Sequence, residues 1–363
     1  MLEAMRILFI GEVVGGAGVY CIKALLPGLK HELDIDLTIA AAEGATGGFG
    51  LGKGHSIYLH KLGVDVITTG DFAYYKRDMV GHIAQARYLL RPANYPYGNP
   101  GRGWLVARPR PPAHREGRRQ ERPDPAVPAA DAAEAALPAS DATPPSGGAP
   151  PSGGDRPVPA AEQGRSGSAS AKSAPAPPIR PPEPGVGVIS LLGQAGFSRV
   201  HLRNPFEVVG GLIERVKQQT PIVLVDFHAT TTAEKVAMGI FLDGKASALL
   251  GTHVRTLSAD AQILPGGTAA ITHSGRTGSL HSVGGLDPAI ETRKFVNQVH
   301  EQSRDAWGLL ELQGVVLEVA PDGRARSVTT LRRQTTAPEG ARAAAAAQQQ
   351  RGGPRGRRSG PRR

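Results

Sequence analysis

The chain has 363 residues, a net charge of +10, 5% aromatic residues and a single cysteine, Cys21. One thiol excludes an internal disulfide and suits a reducing compartment, so a cytoplasmic location is expected. The 31 prolines and 47 glycines are unevenly spread, so fewer residues are expected to fold than the length alone suggests.

No apolar stretch approaches a membrane span, and the run at 7–10 is too short for a secretion signal. Residues 6–10, which contain that run, read as a buried strand. A helix is expected over 19–33, with Ile22, Leu25, Leu26 and Leu29 on its apolar face and Cys21 as an ordinary core residue. A second strand over 37–41 ends at Glu43 and a glycine-rich turn. A helix over 55–62 leads to a third strand, 64–68, which ends in Thr69, Gly70 and Asp71. Glu12, Glu43 and Asp71 thus each follow a strand and each adjoin a glycine. One such acid is an ordinary turn or cap residue. Three in series point to convergence on one site at the carboxyl ends of an α/β sheet. The GEVVGG run lacks both the dinucleotide spacing and a P-loop lysine.

The stretch RPANYPYGNPGRG reads as a turn-rich loop before a strand over 104–107. Residues 109–184 are dominated by Pro, Ala, Gly, Ser and charge. Such composition cannot bury enough apolar surface to offset its ordering entropy. It is expected to be a disordered insertion in one discontinuous domain, 5–108 plus 185–333. Folded structure is expected again at 186–192. The apolar run 222–225 leads through Asp226 and Phe227 to His228, and a helix starts near Ala233. A strand over 246–250 ends in Gly251, Thr252 and His253, and a shorter one over 269–272 ends at His273. A helix over 288–299 and a hairpin of 312–319 with 325–331 complete the expected fold. Residues 334–363 read as a disordered basic tail. Such a tail can contact RNA or another polyanion through phosphate charge, and a solvated arm without a specific partner is an equal alternative. The sequence leaves the oligomeric state open, a homo-oligomer included.

The ordered series GEVVG, AEGATGGFGL, ITTGD, LRPANYPYGNPGRG, VDFHATTTAEKVAMG, GTH and ILPGGTA resembles the YmdB-type branch of the calcineurin-like metallophosphoesterases. The resemblance covers Met5 to about Leu331 without the insertion. It implies a sandwich of two β-sheets flanked by helices and one or two divalent ions, iron, manganese or zinc. It also implies hydrolysis of phosphodiesters, including 2′,3′-cyclic nucleotides.

Position by position, Glu43 matches the family's bridging carboxylate, and His228 and His253 match two imidazole ligands. Asp71 stands where the family has Asn, and Glu12 where it has Asp. Gly44 replaces a ligand-type Asn, and Phe72 replaces the catalytic His. Arg255 replaces the second His of the family's GTHTH, and His273 replaces an Asp in its late TDxGxTG motif. The implied metal set is Glu12, Glu43, Asp71, His228 and His253. Arg255, able to bind phosphate, and His273 are the candidate catalytic groups. Three functions remain open: a phosphodiesterase with a weakened site of one or two metals; a nucleotide- or RNA-binding pseudoenzyme; and a scaffold acting through tail and insertion.

Overall fold

The computed structural model describes residues 4–109, 185–197 and 202–341. The expected disorder of the insertion and most of the basic tail lies outside these residues. In chain order the elements are β1 (Met5–Ile10), β2 (Glu12–Val13), α1 (Gly15–Glu32), β3 (Leu37–Ala41), α2 (Lys53–Lys61) and β4 (Val66–Thr68). Then come α3 (Arg77–Gln85), β5 (Leu89–Leu90), β6 (Trp104–Ala107), β7 (Val186–Leu192), α4 (Pro205–Lys217), β8 (Val223–His228) and α5 (Thr232–Leu242). The last are β9 (Ala248–Thr252), β10 (Gln262–Ile263), β11 (Ala269–Ile271), β12 (Arg276–Ser279), α6 (Pro288–Asn297), β13 (Leu310–Val319) and β14 (Ala325–Thr335).

These strands form two sheets. One runs β2-β12-β13-β1-β3-β4-β5, with β14 on β13; the other runs β10-β11-β9-β8-β7-β6. Strands β1, β3, β4 and β5 are parallel, as are β7, β8, β9 and β11. The period-two alternation of buried strands separates the layers. Ile7, Phe9, Leu37, Ile39 and Val66 of the first sheet pack against Val188, Leu224, Ala248, Leu250 and Ile271 of the second. Leu8 and Ile10 face the other way, joining Ile22, Leu26, Leu59 and Met79 of α1, α2 and α3. On the far side of the second sheet, Val225 and Phe227 pack with Val209, Ile213, Met238 and Leu242 of α4 and α5. The result is the expected calcineurin-like sandwich, helices outside two facing sheets.

Some boundaries differ from expectation. Helix α1 starts at Gly15, earlier than expected, because Gly18 lets it approach β12: a Cβ there would lie 2.4 Å from the Thr277 carbonyl oxygen. Strand β8 continues through Asp226 and Phe227, so His228 is its last residue. Strand β14 reaches Thr335, paired with Leu310, so Gln334 and Thr335 belong to the sheet and not to the tail. Cys21 is buried in α1, and burial pushes its thiol up to about 12, as a core residue requires.

Strands β6 and β7 pair antiparallel, with Ala107 opposite Val186. The two ends of the insertion therefore meet like the stem of a hairpin. Closing them with a short turn in place of residues 110–182 is expected to leave the melting temperature unchanged or slightly raised, since loop closure entropy grows slowly with length. Loss of cooperative melting in that variant would contradict this account.

Candidate metal centre

Both sheets end their parallel strands at one edge, and the chemistry-bearing residues sit on those ends. Glu43 follows β3 and Asp71 follows β4, while His228 closes β8 and His253 follows β9. His228 Nε2 lies 3.1 Å from Glu43 Oε2, 3.2 Å from Asp71 Oδ1 and 3.0 Å from His253 Nδ1. His253 Nδ1 lies 3.8 Å from Asp71 Oδ1. The structure thus brings together four of the five metal ligands expected from the sequence.

Each ligand is held from behind. Glu43 Oε1 accepts from the amides of Gly70 (2.7 Å) and Phe72 (2.6 Å), which fixes the turn that carries Asp71. Tyr95 donates to the carbonyls of Gly70 and Asp71 on that turn. Asn94 clamps Leu192 on both sides, accepting from its amide and donating to its carbonyl. This explains the RPANYP loop, whose sequence showed only turns. Beside β8, Thr252 at the end of β9 donates its hydroxyl hydrogen to Asp226 (2.7 Å), and its oxygen lies 3.2 Å from His228 Nδ1. The hydroxyl has one hydrogen to give, so it accepts from Nδ1–H. That leaves Nε2 directed at the cluster. His253 holds φ of 87°, a strained backbone of the kind that persists where surroundings enforce it.

Burial and proximity set the charges. Burial raises the Glu43 carboxyl to about 7, against the pull of His228. Burial opposes a charge on His228, but Glu43 and Asp71 outweigh it and its pKa lies well above the ordinary value. Burial, then the neighbouring His228 charge, lowers His253 to about 4. The protein therefore holds protons near neutrality at atoms a cation would occupy.

The donor set fits a divalent ion. The ligand atoms of Asp71, His228 and His253 lie within 4.8 Å of one another, and mixed carboxylate and imidazole donors suit such ions.

The fifth expected ligand is engaged elsewhere. Glu12 Oε1 accepts from Arg255 Nε at 3.0 Å. Arg255 also donates to the carbonyls of Gly48 (2.7 Å) and Gly284 (3.1 Å). A Cβ on Gly44 would lie 3.0 Å from Arg255 Nη2 and 3.3 Å from Glu12 Oε1. The guanidinium therefore fills the space that a side chain at position 44 would use. His273 reaches the same sheet edge beyond β11, but its Nδ1 lies 3.2 Å from Thr272 Oγ1 and its amide bonds Ser258. It makes no hydrogen bond to the four-residue cluster among the described residues.

Two features gave no signal in the sequence. Lys235, on the first turn of α5, is fully buried, and its Nζ has no hydrogen-bond partner among the described residues. Burial lowers it to about 8, with Asp226 and Glu12 the main opposing charges. Phe197 stacks on His228 and meets His253 edge-on, with centroids at 6.1 and 5.1 Å.

Two outcomes follow from this geometry. A Cβ at Gly70 would lie 2.3 Å from the His228 ring, so Gly70→Ala is expected to displace that ligand and abolish tight manganese uptake in calorimetry, and unchanged uptake would contradict the placement of His228. Uptake must also release the protons on Glu43 and His228, so affinity should weaken as pH falls through about 7. A titration series flat across neutrality would contradict it.

The YmdB-like protein family model matches residues 8–113 and 179–331. The chain is 30% identical over 315 residues to the 2′,3′-cyclic-nucleotide 2′-phosphodiesterase of Bacillus subtilis (strain 168), covering 87% of this chain and 91% of the relative. The fold is similar to the crystal structure of a novel phosphatase from Mycoplasma pneumoniae, with a TM-score of 0.68, 26% identity and coverage of 93% and 96%. It is also similar to the crystal structure of a hypothetical protein from Thermus thermophilus, with a TM-score of 0.66, 24% identity and coverage of 91% and 99%. Matched across most of its length and built on the same sandwich, the chain belongs to the YmdB-like family of metallophosphoesterases.

Proposed function

We propose that the protein is a metal-dependent phosphodiesterase of the cyclic-nucleotide class, 2′,3′-cyclic nucleotides included, with one tightly held ion and weakened turnover. The supporting observation is the unequal fate of the two halves of the site. Asp71 and His253 cluster with His228, and Glu43 bonds the same His228 nitrogen, whereas Glu12 is tied to Arg255 beside the side-chain-free Gly44. The activity named for the Bacillus subtilis relative supplies the substrate class.

The chemistry that a bound divalent ion supplies is polarisation of a phosphoryl oxygen and activation of water. Glu43, Asp71, His228 and His253 would hold it. The chain's own residues set the rest. Arg255 commits three donors to Glu12, Gly48 and Gly284. A guanidinium has five N–H groups, so about two are left to meet a phosphoryl oxygen. Phe72, next to Asp71, has no proton for the leaving oxygen. A missing general acid costs about 10²–10⁴-fold in rate. His273 is the remaining candidate for that role among the residues singled out from the sequence. The same pair, Phe72 and Arg255, favours a second reading, a nucleotide-binding protein without turnover.

Hydrolysis of 2′,3′-cyclic AMP with manganese separates the two. The natural protein is expected to turn over slowly but measurably. The variant Glu12→Asp, Gly44→Asn, Phe72→His, Arg255→His should be about 10²-fold faster or more. Phe72→His alone should gain little, because residues acting as a unit are not additive. Arg255→His without the other changes leaves the buried Glu12 carboxylate unpaired, so its melting temperature should fall and recover on adding manganese. A natural protein as fast as the fourfold variant would contradict the proposal. No turnover by either would favour the binding protein.

A further inference from the structure

Besides Phe197, an aromatic chain reaches the metal centre through Phe72, which contacts both Phe49 and Tyr75. Phe72 directly follows Asp71, and its amide is pinned to Glu43. Its ring meets Phe49 edge-on, with centroids at 5.8 Å and planes at 69°. It also meets Tyr75 edge-on, at 5.3 Å and 84°. Phe49 and Phe72 are only partly buried, and Tyr75 is 53% exposed. An aromatic cluster whose sole task is packing buries its rings, because that is where its stabilisation comes from. Here the cluster ends in an open ring, that of Tyr75.

The local backbone is shaped to hold that ring in place. Gly50 has φ of 74°, and a Cβ there would lie 3.0 Å from Tyr75 Cβ. The glycine-rich turn after β3 therefore permits the contact that seats Tyr75. Arg255 links the aromatics to the anion-binding side: its guanidinium carbon lies 5.9 Å from the Phe49 centroid. Lys76 Nζ lies 5.2 Å from the Tyr75 centroid. A row of aromatic rings flanked by cations, starting one residue from a metal ligand, matches a ligand with an anionic group at one end and a flat π-system at the other.

We infer that Phe49, Phe72 and Tyr75 form a stacking platform for the base of a nucleotide whose phosphate lies at the metal centre. This rests on the proposed function and deepens it, because it selects base-bearing phosphodiesters over cyclic phosphates of simple polyols. Stacking uses the π-face that all bases share, so purines and pyrimidines bind with similar affinity. Phe72 then has a use in this chain: it gives up proton donation and supplies the centre of the platform.

The test is calorimetry on the full chain with manganese, using adenosine 3′-monophosphate, cytidine 3′-monophosphate and inorganic phosphate as probes. Both nucleotides are expected to bind about tenfold tighter than phosphate. Tyr75→Ala, at an exposed position that folding tolerates, should remove most of that preference, and Tyr75→Phe should retain it. Manganese and phosphate binding without preference for the nucleotides would overturn the platform and leave the metal site standing. So would a preference unchanged by Tyr75→Ala. Nucleotide binding that needs Tyr75 but not manganese would sustain the platform and remove the metal-dependent reading. No binding of any probe would overturn both.

Discussion

The Glu43 carboxylate joins the two halves of this fold at the point where chemistry is possible. One oxygen accepts two amides from the turn after β4, and the other faces His228 at the end of β8. The first contact belongs to one sheet and the second to the other. Burying a carboxylate is costly unless hydrogen bonds and opposite charge compensate, and each of these partners does so. The arrangement explains why Gly70 has no side chain, why Asp71 points inward and why His228 needs Thr252 and Asp226 behind it. The strand ends of two separate sheets are drawn to one point by this carboxylate and by the cation that His228 becomes beside it.

Much of this is legible in the sequence because it follows local rules. An apolar run followed by an acid beside glycine recurs at Glu12, Glu43 and Asp71, and parallel strands present their ends along one edge. His228 and His253 share that grammar. Glu12 shares it too, yet its carboxylate is bound to Arg255, 243 positions away. That pairing depends on Gly44 leaving room, a contact between segments that no local pattern encodes. The aromatic row is hidden for the same reason, since Phe49 and Phe72 meet only when β3 and β4 lie side by side.

The elements missed in the sequence have local causes. Helix α4 carries Gly210 and Gly211, poor helix formers that both face open space. Its apolar face of Val209, Ile213 and Val216 and its Asn204 cap outweigh their propensity cost. Helix α3 buries only Met79 and Ile83, too few positions for a periodic signal. No local pattern marks Lys235 as buried, and its burial near the charges of Asp226, Glu12 and Asp260 is a property of the assembled sandwich.

In the proposed one-metal site the Arg255 guanidinium, bonded to Glu12, takes the place of a second cation. Anomalous diffraction from crystals soaked in manganese tests it most directly. One strong peak bounded by Glu43, Asp71, His228 and His253 is expected, with Arg255 still bonded to Glu12. A second peak of equal height on Glu12, with Arg255 swung away, would contradict it.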